Sequence, residues 1–507
     1  MNRNKALLLV LALASFSLAA CSGPASTGCT VNCSSTGSVA VTLVADTLPA
    51  NPALLSFQVT IASIKLTTSA GTSTTVNLIP ALTLDLMRLQ TDTAFLGTMP
   101  NIPAGQYTSA TLAISGNATI AFLNNTNAAI STCPVATICS ASVAAASVPV
   151  INLSFTVSQN AVTGIGLDVN LNNTVSISAG NLVVDFTAAN ALSAFTLPRA
   201  NSNLASGQLD LIEDFTGVVS IANSSVTLTS ATRRALTGST TSRTIFDSDP
   251  SGTLCPAGTT QLTSCVSNNQ VASMDVILNS DGTLSIQEIE PLLATVEDTV
   301  EGIVVSINPN NQTQFTLVVT DFIPLAQNSL IVGLHVGDGL TVNIPNPKPF
   351  LVDMKGLPLA TQFAGNLANF VGATNTSAMR LGQTVDVHVT AFTAANGTTI
   401  ASSTSDSVTL RWSRLFALPT GVSTAALINV NTVPSYFGFT PASVFPTQVF
   451  SGTLGADGVT NLDGISGSAA NVNANPPVPP VGLRVLYLEN SSNSAQFPFM
   501  AAKIRQH

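Results

Sequence analysis

The chain has 507 residues, 45% of them hydrophobic and only 8% charged, against roughly a quarter charged in ordinary soluble domains. Its 16 Lys and Arg against 25 Asp and Glu give a net charge of −9, with no basic patch to neutralise phosphates, which argues against a nucleic-acid partner. The length admits three or four domains. Past the N-terminal leader, no apolar run is long enough for a membrane-spanning helix.

The leader runs from Met1 to Ala20. Arg3 and Lys5 supply positive charge, and Ala6 to Ala20 is almost wholly apolar. A charged start, a short apolar run and small residues before a cleavage point predict a signal peptide. It closes on Leu18-Ala19-Ala20-Cys21, which resembles a bacterial lipobox. The resemblance implies cleavage before Cys21, a diacylglycerol on its sulfur and an acyl chain on its new amine. Two lipid signals hold a protein stably on a membrane. Removal of Arg3 and Lys5 takes the net charge from −9 to −11. Ser22 stands where an aspartate favours inner-membrane retention in well-studied Gram-negative cells, so the expected site is the outer membrane rather than the inner.

With Cys21 assigned to lipid, six cysteines remain, and they fall into three near neighbours. Locality predicts the disulfides Cys29–Cys33, Cys133–Cys139 and Cys255–Cys265 in an oxidising envelope. Each closes a small loop and stiffens a turn more than it stabilises a domain.

Residues 21–36 are rich in Gly, Ser and Thr and predict a flexible tether. Val39, Val41 and Leu43 alternate with Ser38, Ala40 and Thr42, the pattern of a half-buried strand. Phe57, Val59 and Ile61 alternate likewise, and the phase then slips to Ile64 and Leu66, predicting a bulge near Ala62-Ser63. Leu82 to Leu96 predicts a helical turn or two. Ile102-Pro103-Ala104-Gly105-Gln106-Tyr107 predicts a tight turn into a strand, because Pro fixes φ and Gly permits positive φ. Val150 to Val157, Gly164 to Leu171 and Leu182 to Thr187 read as further strands.

In order, Gly37-Ser38-Val39-Ala40-Val41, Val59-Thr60-Ile61-Ala62-Ser63-Ile64, Leu84-Asp85-Leu86, Ile102 to Tyr107, Leu167-Asp168-Val169-Asn170 and Phe195-Thr196-Leu197-Pro198 resemble an uncharacterised domain family of bacterial lipoproteins. The resemblance implies a transthyretin-type β-sandwich over 37–199 and brings no catalytic residues.

The remainder repeats. Gly217-Val218-Val219-Ser220-Ile221 then Val226-Thr227-Leu228 parallels Gly302-Ile303-Val304-Val305-Ser306-Ile307 then Phe315-Thr316-Leu317, with a fainter opening at Ser451-Gly452-Thr453-Leu454. Closing strands rhyme at Met274 to Leu278, Val385 to Val389 and Leu483 to Leu488. These resemble a second uncharacterised family, a small OB- or SH3-like barrel in tandem. Glycines at the openings suit sharp strand bends. The expected units are a signal peptide 1–20, a tether 21–36, a β-sandwich 37–199, barrels 200–296 and 297–419, and a degenerate barrel 420–507.

His335 and His388 fall on predicted strands, and His507 is the final residue. A triad through either needs a nucleophile, and Gly464-Ile465-Ser466-Gly467 falls short of a nucleophile elbow. Glu288 and Glu290 flank Ile289 on a probable strand, so both should face water. Glu297, Asp298 and Glu301 read as a solvated linker. Asp247-Ser248-Asp249 and Asp457 with Asp463 come nearest to a calcium loop, and neither completes one. Trp412 lies in Leu410-Arg411-Trp412-Ser413-Arg414, so alternation sends Trp412 to the core and the arginines to water. One Trp and three Tyr cannot build the aromatic girdles of a membrane barrel.

The expectation is an all-β chain, a sandwich followed by two or three small barrels. It has no catalytic residue, metal or cofactor assigned and is not an enzyme. The expected role is a non-catalytic binding or structural one at the envelope. The anchor on Cys21 makes the membrane one partner, and an envelope protein or a glycan is another. The alternatives are a carbohydrate-binding or adhesive lipoprotein, and an enzyme whose site is scattered through the sequence.

Overall fold

The computed structural model describes residues 35–506, except 47, 50, 355–363, 398, 422, 425–426, 431–432, 438–444, 450–459, 476–477 and 489–498. Cys21, Cys29, Cys33, Asp457 and the opening expected at Ser451 to Leu454 lie outside the described residues.

The sandwich is built from β1 (Thr36–Asp46), β2 (Ala53–Thr68), β3 (Ser73–Asp85), β4 (Ala94–Pro103), β5 (Gly105–Leu123), β6 (Ile138–Val143), β7 (Ala146–Val150), β8 (Phe155–Val157), β9 (Val162–Asn170), β10 (Val175–Ser178), β11 (Asn181–Val184) and β12 (Leu192–Thr196). One sheet runs β12-β9-β1-β4, the other β3-β2-β5-β6 with β7 and β8 also on β5. Val41, Leu43, Phe57, Ile61, Leu112 and Leu167 share the core between them. The slip in β2 appears as a register shift between Ile61 and Ser63. The turn after β4 uses Gly105 at φ 151°, and the Tyr107 hydroxyl ties it by donating to the Pro103 carbonyl at 2.9 Å. The helical turn expected in Leu82 to Leu96 is a 3-10 turn at Arg88–Gln90, between β3 and β4.

β1 corrects its expected half-burial. Ala40, Thr42 and Val44 are as buried as Val39, Val41 and Leu43. Ala40 joins the core of the first barrel, and the Thr42 hydroxyl donates to Asp210 at 2.8 Å. The face predicted to meet water meets the next domain.

The first barrel comprises β13 (Gln208–Ala222), β14 (Ser225–Thr229), β15 (Leu236–Ser239), β16 (Ile245–Phe246), β17 (Val271–Asn279) and β18 (Leu284–Leu293). Five strands close in the order β13-β14-β15-β18-β17 and back to β13, with β15 and β18 parallel. The second comprises β19 (Thr299–Ile307), β20 (Gln314–Ile323), β21 (Gly339–Asn343), β22 (Leu351–Val352), β23 (Thr384–Thr393) and β24 (Ala401–Arg411). It closes as β19-β20-β21-β24-β23 and back to β19, with β21 and β24 parallel. Both are OB-type connectivities. Gly217 and Gly302, which open the two repeats, explain themselves. A Cβ on Gly217 would come 2.8 Å from the Thr229 backbone, and one on Gly302 2.6 Å from the Val318 carbonyl.

The third copy is β25 (Ser413–Ala417), β26 (Leu427–Val430), β27 (Phe445–Val449), β28 (Asn461–Asp463), β29 (Val481–Tyr487) and β30 (Phe499–Gln506). Its order is β25-β29-β30-β27-β26, with β27 and β30 parallel. β25 and β26 approach at the Pro419–Val430 bridge. The expected boundary at 420 is therefore displaced. β25 pairs with β29 and belongs to the third unit, joined to β24 through Trp412 alone.

Two of the expected disulfides are present, Cys133–Cys139 and Cys255–Cys265.

β29 lies hard against the 3-10 turn of the sandwich. A Cβ on Gly482 would fall 2.3 Å from the Gln90 carbonyl, a backbone atom that cannot swing aside. Gly482→Ala is expected to cost about 1–3 kcal/mol by overpacking. A shift in the denaturation midpoint checks this, and an unchanged midpoint would show that the two segments part freely.

Candidate functional site

The organising site is ionic and lies where the four units meet. Eight of the chain's 16 Lys and Arg (Arg88, Arg199, Arg233, Arg411, Arg414, Arg484, Lys503 and Arg505) pair with carboxylates there. The segment between β3 and β4 is its hub. Arg88 reaches the second barrel, with Nη1 2.6 Å from Glu301 Oε1 and 3.7 Å from Asp321 Oδ2. Asp92 takes Arg414 of the third unit at 2.9 Å. Arg505 of β30 donates to the Leu89 and Asp92 carbonyls at 3.1 and 2.8 Å and to Thr93 at 2.7 Å.

Two subclusters flank the hub. Asp463 holds three cations, Arg505 at 2.7 Å, Arg199 at 2.8 Å and Lys503 at 3.3 Å. Glu213 of β13 holds Arg484 at 3.1 Å and pairs closely with Lys503. Arg411 pairs with Asp353 and, at 3.3 Å, with Asp386. Burial pushes the Asp463 carboxyl up, but Arg199, Arg505 and Lys503 outweigh it and hold it well below the usual carboxylate range. Asp92 and Asp321 are likewise held low against burial, chiefly by Arg414 and Arg233 respectively. Asp386 goes the other way. Burial pushes it up to about 8, Arg411 opposes, and Glu301, Asp353 and Asp321 add to the rise.

Several expectations are corrected here. Trp412 is in the core, but Arg411 and Arg414 are buried beside it rather than solvated. Alternation misleads because both faces of the β24–β25 crossing are covered by other units. Glu290 is buried with Ile289, against the expectation that it faces water. Glu301 and Asp298 are buried too. Asp298 accepts from Leu325 N, Ser329 Oγ and Leu330 N, so it fastens a loop, and of that group only Glu297 is substantially exposed. Asp249 is consumed by its own turn, accepting from Ser251 and Leu254, and Asp463 by its cations. Among the described residues no group of three or more His, Cys, Asp or Glu is placed to hold a metal.

Beside the network, a cleft of about 490 Å³ separates the first two barrels. Thr216, Leu254 and Val271 line it from one, and Phe322, His388 and Thr409 from the other, with Asp386 and Arg411 joining it to the network. At its margin His388 Nδ1 lies 2.7 Å from Asp406 and Nε2 lies 3.6 Å from Glu297, while Lys348 sits 2.9 Å from Asp406. Both ring nitrogens thus face carboxylates, and Asp406 is shared between His388 and Lys348. His335 is elsewhere, 73% exposed and 3.4 Å from Asp338.

Sequence reasoning missed every ion pair in this network. The available signal was charge inside strand patterns, as in Ala501-Ala502-Lys503-Ile504-Arg505 and Leu211-Ile212-Glu213-Asp214-Phe215. In a chain so short of charge, charged side chains amid apolar strand residues are the ones to read as paired and buried.

Residues 36–203 match a family described as a domain of unknown function, DUF4382. That span holds the whole sandwich and stops short of the first barrel. The two-sheet architecture agrees with the sandwich that the resemblance implied. No curated protein and no solved structure matches the chain. Among the described residues no helix is long and apolar enough to cross a membrane.

Proposed function

We propose that this chain is a lipid-anchored cell-envelope protein with a non-catalytic binding or structural role, presenting the cleft between its first two barrels from a fixed frame. The observation that carries the reading is the cleft's seat on the ionic junction. Glu301, Asp321, Asp386 and Arg411 belong to both, so the cleft's shape is set by groups that bind the domains together. A preorganised concave site is what a binding protein needs. The anchor rests on the leader ending at Cys21, with the outer membrane favoured over the inner.

The glycan alternative calls for exposed ring faces, and Trp412, Tyr107, Tyr436 and Tyr487 are all buried. The enzyme alternative draws on one observation, the close pairing of His388 with Asp406 at the cleft.

Fractionation with protease shaving tests the placement, comparing the native chain with Cys21→Ala on intact and permeabilised cells. The native chain is expected in membranes and the variant released, and a variant retained in membranes would sink the anchor. A photo-crosslinker at Thr253, in the cleft, is expected to capture an envelope partner that one at Val332, 74% exposed and outside it, does not. Equal capture by both would refute the cleft as the binding face.

A further inference from the structure

A second cavity, independent of the cleft, lies between the sandwich and the first barrel and holds about 270 Å³. Its walls are largely apolar, with Leu82, Leu84 and Phe95 from the sandwich and Phe215 and Leu236 from the barrel. Three arginines also line it, Arg88, Arg233 and Arg234.

The pocket's carboxylates are already engaged, save the buried Oδ2 of Asp85, which takes no hydrogen bond. Asp85 accepts from the Phe57 and Met87 backbone N–H groups at 2.8 and 2.9 Å, and burial pushes it up, toward its neutral form. Asp92 is held by Arg414, and Glu213 by Arg484 and Lys503. Its cations retain donors. The Nε and Nη2 of Arg88, which is 94% buried by its 6% exposure, make no hydrogen bond, their nearest carboxylates standing at 3.7 and 3.8 Å. Arg233 Nε is also without one, although its Nη2 holds Asp321 at 2.8 Å and its guanidinium stacks 4.5 Å over Phe215. Arg234 donates from Nη2 to the Leu96 carbonyl at 3.0 Å, and among the described residues it takes no carboxylate partner. Burial without such a partner pulls its pKa below the ordinary arginine value. A half-buried guanidinium facing an apolar cavity, with a backbone carbonyl as its partner, leaves a charge that an anion would neutralise.

We propose that this pocket binds a small monocarboxylate with an apolar body, its carboxylate on Arg234 and its hydrocarbon against Leu82, Leu84, Phe95, Phe215 and Leu236. The apolar walls supply affinity by burial and the guanidinium supplies the sign of the head group.

Calorimetric titration of the full chain with sodium octanoate tests this, beside octylamine of equal chain length and opposite charge. Octanoate is expected to fill one site per chain and octylamine none. Arg234→Gln is expected to weaken octanoate about tenfold or more, as loss of a charge-assisted pair does. Nonspecific uptake into the solubilising amphiphile is the same for both proteins and drops out of that comparison. Ala94→Phe, which fills the cavity and keeps Arg234, is expected to abolish binding, and it decides the matter should Arg234→Gln fail to fold. Octylamine binding as well as octanoate, or octanoate binding unchanged in either folded variant, overturns the proposal.

Discussion

Asp463→Leu is expected to be the most damaging single change in the molecule, costing about 3–5 kcal/mol. The carboxylate is 1% exposed and faces Arg199, Lys503 and Arg505, two of which have no exposure of their own. Without it, three cations remain out of water with one anion fewer, and a buried charge left unpaired costs far more than the pair was worth. A lowered denaturant midpoint reads the loss directly. Arg199→Met provides the contrast, because its side chain is 16% exposed and two cations still hold Asp463, so a smaller loss is expected. Acid gives the second signature. The folded carboxyl is depressed, so its contribution is complete above the unfolded value near 3.8 and is lost as the pH falls through the lower folded value. Native protein should lose stability on acidification more steeply than Asp463→Leu. Equal acid sensitivity, or a midpoint unchanged at neutral pH, would show that Asp463 does not bind the units together.

Asp386→Asn is expected to do the reverse and stabilise. The folded chain keeps this proton up to about pH 8, whereas the unfolded chain releases it near 3.8. Below about pH 4 both states are protonated and nothing is lost. As pH rises toward 8 the unfolded state gains by ionising while the folded state does not, so stability falls by up to about 1.4 kcal/mol per unit. The side chain is 23% exposed, and water screens part of that effect. The variant should therefore exceed the native protein by about 2 kcal/mol at pH 7.5, with the gap closing toward pH 4. Thermal unfolding at the two pH values measures it. A gap of the same size at both, or of opposite sign, would mean that Asp386 is ionised in the folded chain.

What was legible in the sequence was local. Alternation located the strands, the phase slip after Ile61 located a bulge, and Pro103 with Gly105 located a turn. The opening glycines at 217 and 302 located two barrels because each copy needs close backbone approach at the same point. Short loops revealed Cys133–Cys139 and Cys255–Cys265 for the same reason. What was hidden depends on partners far away in sequence. Nothing near Ala40 or Thr42 announces that the first barrel will cover them, and nothing near Arg411 announces Asp214 or Glu301. Period-two reasoning assigns one wet face to every strand, and it fails where a third layer arrives. The third sheet begins with Ser413–Ala417, which follows β24 without a glycine to mark it, so nothing in the local sequence sets that strand apart.

The hub between β3 and β4 also imposes an order in time. Arg88 emerges during synthesis long before its acceptor Glu301, and the carbonyl of Leu89 waits 416 residues for Arg505. Until β19 and β30 have been made, water serves the groups that Glu301 and Arg505 later take. The junction therefore cannot close until the last strand is made, because the sandwich sheds that water only when the third unit packs against it.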